Sequence, residues 1–112
     1  MDAQTLNVAL DMALEFGPNW LKPTQERLRE RFPAFSQAEA DEYDRQCRRI
    51  MDVGHALGAD VYSGKFTGGE AAIRLLSQYP QVDERNASHL LSQGQYYAMK
   101  NGVVAGEAAR RP

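Results

Sequence analysis

The chain has 112 residues, of which 43% are hydrophobic and 25% are charged, with a formal net charge of −2. This composition is typical of one soluble globular domain, and the charge gives no support to general affinity for nucleic acid or membranes. The single cysteine, Cys47, excludes an internal disulfide. We find no signal peptide pattern and no apolar run of the roughly 20 residues that span a bilayer, so we expect a cytoplasmic protein.

Residues 3–16 are predicted to form an apolar first helix. Apolar and polar residues alternate there as in a strand, but the stretch is long, rich in Ala, Leu and Met, and closed by Gly17-Pro18. On a helical wheel its apolar side chains cover roughly 240° of arc. We therefore predict that helix 1 is the central helix. We also predict that Val8, Met12 and Phe16 form part of a homodimer interface, which a monomeric mass in light scattering would contradict.

One turn pattern, an aromatic residue, Pro, any residue, an apolar residue and a helix-capping residue, occurs twice. The first copy is Phe-Pro-Ala-Phe-Ser at residues 32–36, and the second is Tyr-Pro-Gln-Val-Asp at residues 79–83. Proline restricts the residue before it to extended conformations, so a helix ends near Phe32 and another near Tyr79. Ser36 and Asp83 then cap the helices that follow. With the other apolar stripes and caps, the pattern predicts helices at residues 3–16, 23–32, 37–57, 68–78 and 84–100, with Gly58 as the C-cap of helix 3 and a disordered tail at 103–112.

These elements predict an all-α fold, a compact bundle of about five helices in a single domain at residues 1–102. A central helix 1 packs in it against two short-helix/long-helix hairpins. The turns lie 47 residues apart, and Leu28 matches Leu75 at that offset as Ala40 matches Ala87. Periods near this length are typical of helical-pair repeats, so the hairpins form a candidate internal repeat. Turn chemistry shared by two unrelated hairpins is the alternative.

The motifs for catalysis and cofactor binding are incomplete. Ser63-Gly64-Lys65 resembles part of a phosphate-binding loop, but the glycine spacing is wrong and Phe66 follows where Ser or Thr would bind magnesium. Asp52 and His55 are spaced as metal ligands but have no second pair to close a site. We therefore predict that the protein is not an enzyme and uses no metal and no cofactor.

Arginines in helices 2 and 3 raise the alternative of a nucleic-acid-associated protein. Between residues 24 and 49, however, six arginines are balanced by six acidic residues. Asp41 with Arg45 and Asp44 with Arg48 have the acid-first spacing of four that stabilises helices. We therefore prefer a solvated face whose charges cancel.

A further alternative is a ligand-binding or enzymatic helical bundle. Such a bundle would hold its ligand in a pocket between the two hairpins, lined by Tyr43, His55 or Tyr97. Helical bundles build ligand sites from side chains on facing helices. A deep polar pocket there would favour this alternative.

The most informative surface lies on helix 5. His89, Gln93, Tyr96 and Lys100 are spaced four, three and four, which places them on one face, and the apolar stripe places that face opposite the core. An aromatic side chain beside adaptable polar groups has the composition of a recognition patch. We therefore predict a protein–protein interaction or regulatory adaptor module with a protein partner of unknown identity.

Overall fold

The described part of the chain folds into helices. The computed structural model describes residues 2–15 and 23–102, and these ranges contain five helices and no strand. The fold is therefore all-α, as predicted from the sequence. In the described residues no helix combines the length and apolar character needed to cross a membrane. The helices are α1 (Ala3–Leu14), α2 (Thr24–Arg31), α3 (Gln37–Tyr62), α4 (Gly68–Gln78) and α5 (Glu84–Lys100).

Internal contacts divide the chain into two units, Met1–Ile50 and Met51–Pro112. The boundary falls inside α3, so the first unit contains α1, α2 and the first half of α3. The second unit contains the second half of α3 with α4 and α5. The single domain at residues 1–102 and the central position of helix 1 stay predictions, and the predicted tail at 103–112 lies outside the described residues.

In the first unit, α1 begins at a side-chain cap and packs against α2. The Asp2 carboxylate accepts hydrogen bonds from the Thr5 N–H at 3.0 Å and from the Thr5 hydroxyl at 2.6 Å. From α2, Arg27 donates to the Met12 carbonyl at 2.7 Å and forms an ion pair with Glu15 at 2.5 Å. These contacts tie the last turn of α1 to α2. The core residues that α1 contributes are Leu6, Ala9, Leu10 and Leu14.

Aromatic stacking joins the first turn to α3. The ring centroids of Phe32 and Phe35 lie 4.9 Å apart, and those of Phe35 and Tyr43 lie 5.5 Å apart with nearly parallel rings. Next to Tyr43 on α3, the buried carboxylate of Asp44 accepts hydrogen bonds from Gln25 at 3.2 Å and from Arg48 at 2.8 Å. The aromatic stack and this carboxylate together hold α2 against the first half of α3.

The two proline turns end their helices with the same backbone conformation. Phe32 has φ −126° and ψ 81°, and Tyr79 has φ −131° and ψ 73°. The N–H of Phe32 donates to the Leu28 carbonyl at 2.7 Å, and the N–H of Tyr79 donates to the Leu75 carbonyl at 2.9 Å. Leu28 and Leu75 are fully buried, so a leucine anchors each turn in its own unit.

The following helices begin with the predicted caps. The Ser36 hydroxyl accepts from the Glu39 N–H at 3.1 Å, and Glu39 accepts from the Ser36 N–H at 3.0 Å, which completes a capping box. The Asp83 carboxylate accepts from the Asn86 N–H at 2.7 Å. Proline and capping chemistry account for both turns. This similarity does not confirm an internal repeat of whole hairpins, which stays a prediction.

The predicted end of helix 3 is wrong. Gly58 is not a C-cap, because α3 continues for another turn to Tyr62. The left-handed residue that follows the helix is Gly64, with φ 84°, and the Lys65 N–H donates to the Asp60 carbonyl at 2.8 Å. Gly58 serves instead as a contact point, since α5 passes it too closely for a side chain.

The crossing of α3 and α5 in the second unit depends on two glycines. A Cβ atom added to Gly58 would lie 2.5 Å from the Leu91 carbonyl oxygen, and one added to Gly94 would lie 2.5 Å from the His55 carbonyl oxygen. Both distances are far below van der Waals contact, and the neighbouring atoms belong to the backbone. The bare glycines therefore let α3 and α5 pack backbone to backbone, which positions His55 beside α5.

Candidate interaction surface on α4 and α5

The predicted face of α5 is exposed at three of its four positions. His89, Tyr96 and Lys100 are exposed, and Tyr96 keeps 51% of its surface accessible. Gln93 is buried, with 8% accessible, so its predicted place on the face opposite the core is wrong. At about 100° per residue, Gln93 lies some 40° from His89 toward the core, where the second half of α3 covers it. The spacing of residues along α5 does not by itself locate the edge of the packed face.

The Gln93 side chain bridges two histidines, His55 on α3 and His89 on the exposed face of α5. Its Oε1 lies 3.1 Å from Nε2 of His55, and its Nε2 lies 3.4 Å from Nε2 of His89. With this amide orientation, His55 donates to the amide oxygen and His89 accepts from the amide nitrogen. Gln93 therefore supports the exposed face from beneath.

Aromatic contacts extend this support toward the end of α5. The His55 ring meets the Tyr97 ring edge to face, with centroids 5.3 Å apart. Tyr97 in turn contacts Tyr96, whose centroid lies 5.8 Å away. The Lys100 ammonium lies 6.0 Å from the centroid of the Tyr96 ring, at the outer limit of a cation–π contact. The exposed Tyr96 ring thus packs against Tyr97, which in turn packs against His55.

Exposed apolar side chains concentrate on the same two helices. In the described part of the chain, three large hydrophobic residues are exposed: Ile73 at 68%, Tyr96 at 51% and Met99 at 52%. Ile73 belongs to α4, and the other two lie three positions apart on α5. The sequence assigned no role to Ile73 or Met99. The signal for Met99 is its spacing from Tyr96, whereas Ile73 follows the apolar run of α4 and is not distinguished by pattern.

An open groove of about 470 Å³ runs between α4 and α5. Its floor is apolar, and hydroxyl and amide side chains of α5 form one wall. We call this groove, together with exposed Ile73, His89, Tyr96, Met99 and Lys100, the α4–α5 surface. The residues that line the groove are Gly68, Ala72, Leu76, Glu84, Ala87, Ser88, Leu91, Ser92 and Gln95.

The remaining candidate chemistry lies elsewhere in the molecule. His55 is engaged with Gln93 and Tyr97, and Asp52 is exposed. Among the described residues no group of three or more His, Cys, Asp or Glu side chains is arranged to hold a metal ion. Tyr43, predicted as a pocket residue, stacks on Phe35 within the first unit.

The thiol of Cys47 lies buried on α3. Burial, and secondly the negative charge of Asp44, raise the pKa of the Cys47 thiol from its ordinary value of 9.0 to about 12. The thiol therefore stays protonated at neutral pH, and it lacks the thiolate that acts as a nucleophile.

The raised pKa of Cys47 makes stability fall at alkaline pH. The unfolded chain loses the thiol proton near pH 9 while the folded chain retains it, so unfolding becomes more favourable as pH rises above about 9. Between about pH 8 and pH 10.5 we expect wild type to lose about 2 kcal/mol more free energy of unfolding than Cys47→Ala. Urea denaturation of both proteins at the two pH values measures this difference. Equal losses of free energy of unfolding in the two proteins would contradict the raised pKa of Cys47.

The arginines of α2 and α3 are largely engaged within the first unit. Arg48 pairs with Asp44 at 2.8 Å, as predicted. Arg45 pairs with Glu42 at 2.7 Å, so the predicted pairing of Arg45 with Asp41 is wrong. Asp41 and Glu42 both lie within about one helical turn of Arg45. The Glu42 carboxylate accepts hydrogen bonds from two guanidinium nitrogens of Arg45. These pairs agree with a face whose charges cancel.

The predicted dimer residues lie mainly on α1. Val8 and Met12 are half-buried, and Phe16 lies outside the described residues. Their half-buried state leaves part of each side chain accessible on α1. The homodimer stays a prediction.

No protein-family model, no curated protein and no solved structure matches this chain. The function must therefore be inferred from the chemistry and geometry of the chain's own residues.

Proposed function

We propose that this protein is a protein–protein interaction module that binds its partner through the α4–α5 surface. The observation that carries the proposal is the location of Ile73, Tyr96 and Met99. These three exposed large hydrophobic side chains of the described chain all lie on α4 and α5. Tyrosine and methionine are enriched in the cores of protein interfaces, and tyrosine is prominent among the residues that contribute most of the binding free energy.

Preorganisation supports the same proposal. Tyr96 is held by Tyr97, and Tyr97 is held by His55 of α3. A side chain that is already ordered loses less conformational entropy when a partner covers it. Exposed Tyr96 is therefore better suited to be a binding anchor than a freely rotating surface side chain.

The test is a parallel capture experiment from the native host. Tagged wild type, a Tyr96→Ala/Met99→Ala double variant and Ser77→Ala are used as baits at equal concentration. Ser77 is exposed on α4 and does not line the groove. We expect the double variant to lose a wild-type partner by at least about tenfold, as for interface hot spots. Ser77→Ala should retain that partner, and circular dichroism should show all three proteins folded.

Identical partner lists for wild type and the double variant would remove the α4–α5 surface from consideration. The arginine face of α2 and α3 would then be the next surface to test. Salt-sensitive retention on heparin would favour the nucleic-acid alternative for that face.

A further inference from the structure

The groove between α4 and α5 is long enough to bind a short helix. Gly68 of α4 and Gln95 of α5 line one end, and Leu76 of α4 and Glu84 of α5 line the other. At 1.5 Å per residue, the lined stretches of α4 and α5 are about 12 and 16 Å long, which matches two to three turns of a helix. The floor between them includes the apolar side chain of Leu91.

The two walls of the groove differ in charge. On the α5 side the exposed cationic residues are Arg85, which is paired with Asp83 at 3.8 Å, and Lys100, and the sequence from residue 85 to residue 102 contains no Asp or Glu. On the α4 side the groove is lined by Gly68, Ala72 and Leu76, which are uncharged. Glu84 is the acidic residue that lines the groove, at the end away from Lys100. The α5 wall is therefore basic at its Lys100 end, and the α4 wall is apolar.

Lys100 is available to a partner. In the described part of the chain it makes no ion pair, and its ammonium lies 6.0 Å from the Tyr96 ring centroid. Its position in the last turn of α5 partly offsets the negative end of the helix dipole. A carboxylate placed beside Lys100 and Tyr96 would gain an attraction that no described acidic side chain now supplies.

Resting on the proposed function, we infer that the partner is an acidic amphipathic helix seated in the α4–α5 groove. Its apolar stripe lies on Ala72, Leu76 and Leu91, and its carboxylates lie on the flank that faces Lys100. A helix satisfies its own backbone hydrogen bonds, whereas a strand laid between two helices would leave its N–H and C=O groups without partners. The charge asymmetry of the walls fixes which flank of the partner is acidic.

A displayed library of helical peptides tests this inference with the full chain as target. Each peptide carries a fixed apolar stripe of Leu and Ala, and its flank positions are randomised among Glu, Lys, Gln and Ser. Against wild type we expect Glu to be enriched on one flank by about two- to fivefold per position, the range of exposed ion pairs. Against Lys100→Glu the enrichment beside that position should change from Glu to Lys.

Two isosteric variants provide the matched control. Gln95→Glu adds a carboxylate to the groove wall, whereas Gln78→Glu adds the same group to an exposed position of α4 that does not line the groove. Peptides selected on wild type should bind Gln95→Glu about two- to fivefold more weakly and bind Gln78→Glu with unchanged affinity. If both variants weakened peptide binding equally, the groove would not be the binding site of the peptide.

The outcomes separate the partner assignment from the proposed function. Binders that Tyr96→Ala/Met99→Ala abolishes but that carry no acidic flank would overturn the acidic helix and retain the surface. Binders that the double variant leaves unchanged would overturn the surface itself. A library without binders would overturn the helical occupant, while the capture experiment would still decide whether the surface binds a protein.

Discussion

Replacing Gly94 by alanine is expected to destabilise the protein by about 1–3 kcal/mol, the range of overpacked sites. Alanine is the better helix former by about 1 kcal/mol, so helix propensity alone predicts the opposite sign. The added methyl group, however, would lie 2.5 Å from the His55 carbonyl oxygen and 2.8 Å from the His55 Cα atom. Because both atoms belong to the backbone of α3, neither can rotate away, and the two helices must separate.

Gly69→Ala is the matched control for this prediction. Gly69 lies in the first turn of α4, where an added Cβ atom would be 3.9 Å from the Thr67 hydroxyl oxygen, an ordinary contact. We expect this variant to be neutral or to gain up to about 1 kcal/mol. Urea denaturation followed by circular dichroism measures both changes. Equal stabilities for Gly94→Ala and Gly69→Ala would show that α3 and α5 do not cross as closely as described.

Replacing Leu75 by alanine is expected to cost about 2–5 kcal/mol, because Leu75 is fully buried in the second unit. Its side chain fills the core beneath the second proline turn, and its carbonyl accepts the Tyr79 N–H that ends α4. The truncation removes buried methyl groups and leaves a cavity. The Tyr79 turn then loses its packing support.

Ile73→Ala, on the same helix, is the control. Ile73 is 68% exposed, so the same change to alanine should alter the free energy of unfolding by less than about 0.5 kcal/mol. Chemical denaturation at one pH and temperature compares the two variants. A cost for Ile73→Ala as large as that for Leu75→Ala would mean that α4 buries a different face.

The helices and turns were predictable because local chemistry specifies them. Proline at positions 33 and 80 ends the preceding helices, and the caps at Ser36 and Asp83 begin the next ones. The predicted end of helix 3 was wrong for a related reason. Glycine is both a common C-cap and a residue that permits close helix contact, and Gly58 has the second role.

The candidate site was only partly predictable. Periodicity places Tyr96 and Lys100 on an outer face of α5, but it cannot show that Gln93 lies at the margin where α3 covers it. The burial of Gln93 depends on the glycine contact between α3 and α5, which joins residues distant in sequence. The exposure of Ile73 was equally hard to predict, because an apolar residue beside a core stripe is expected to be buried until the neighbouring helices are placed.

Site-specific photo-crosslinking tests the central claim, that the α4–α5 surface binds a protein, most directly. A benzophenone amino acid replaces Ser92, which is exposed and lines the groove, in one sample and the exposed Ala56 of α3 in another, and both chains are irradiated in the native host. We predict a crosslinked partner from position 92 that is at least about tenfold weaker from position 56, as for a hot-spot contact. A partner that crosslinks equally from both positions, or from position 56 alone, would contradict the proposed surface.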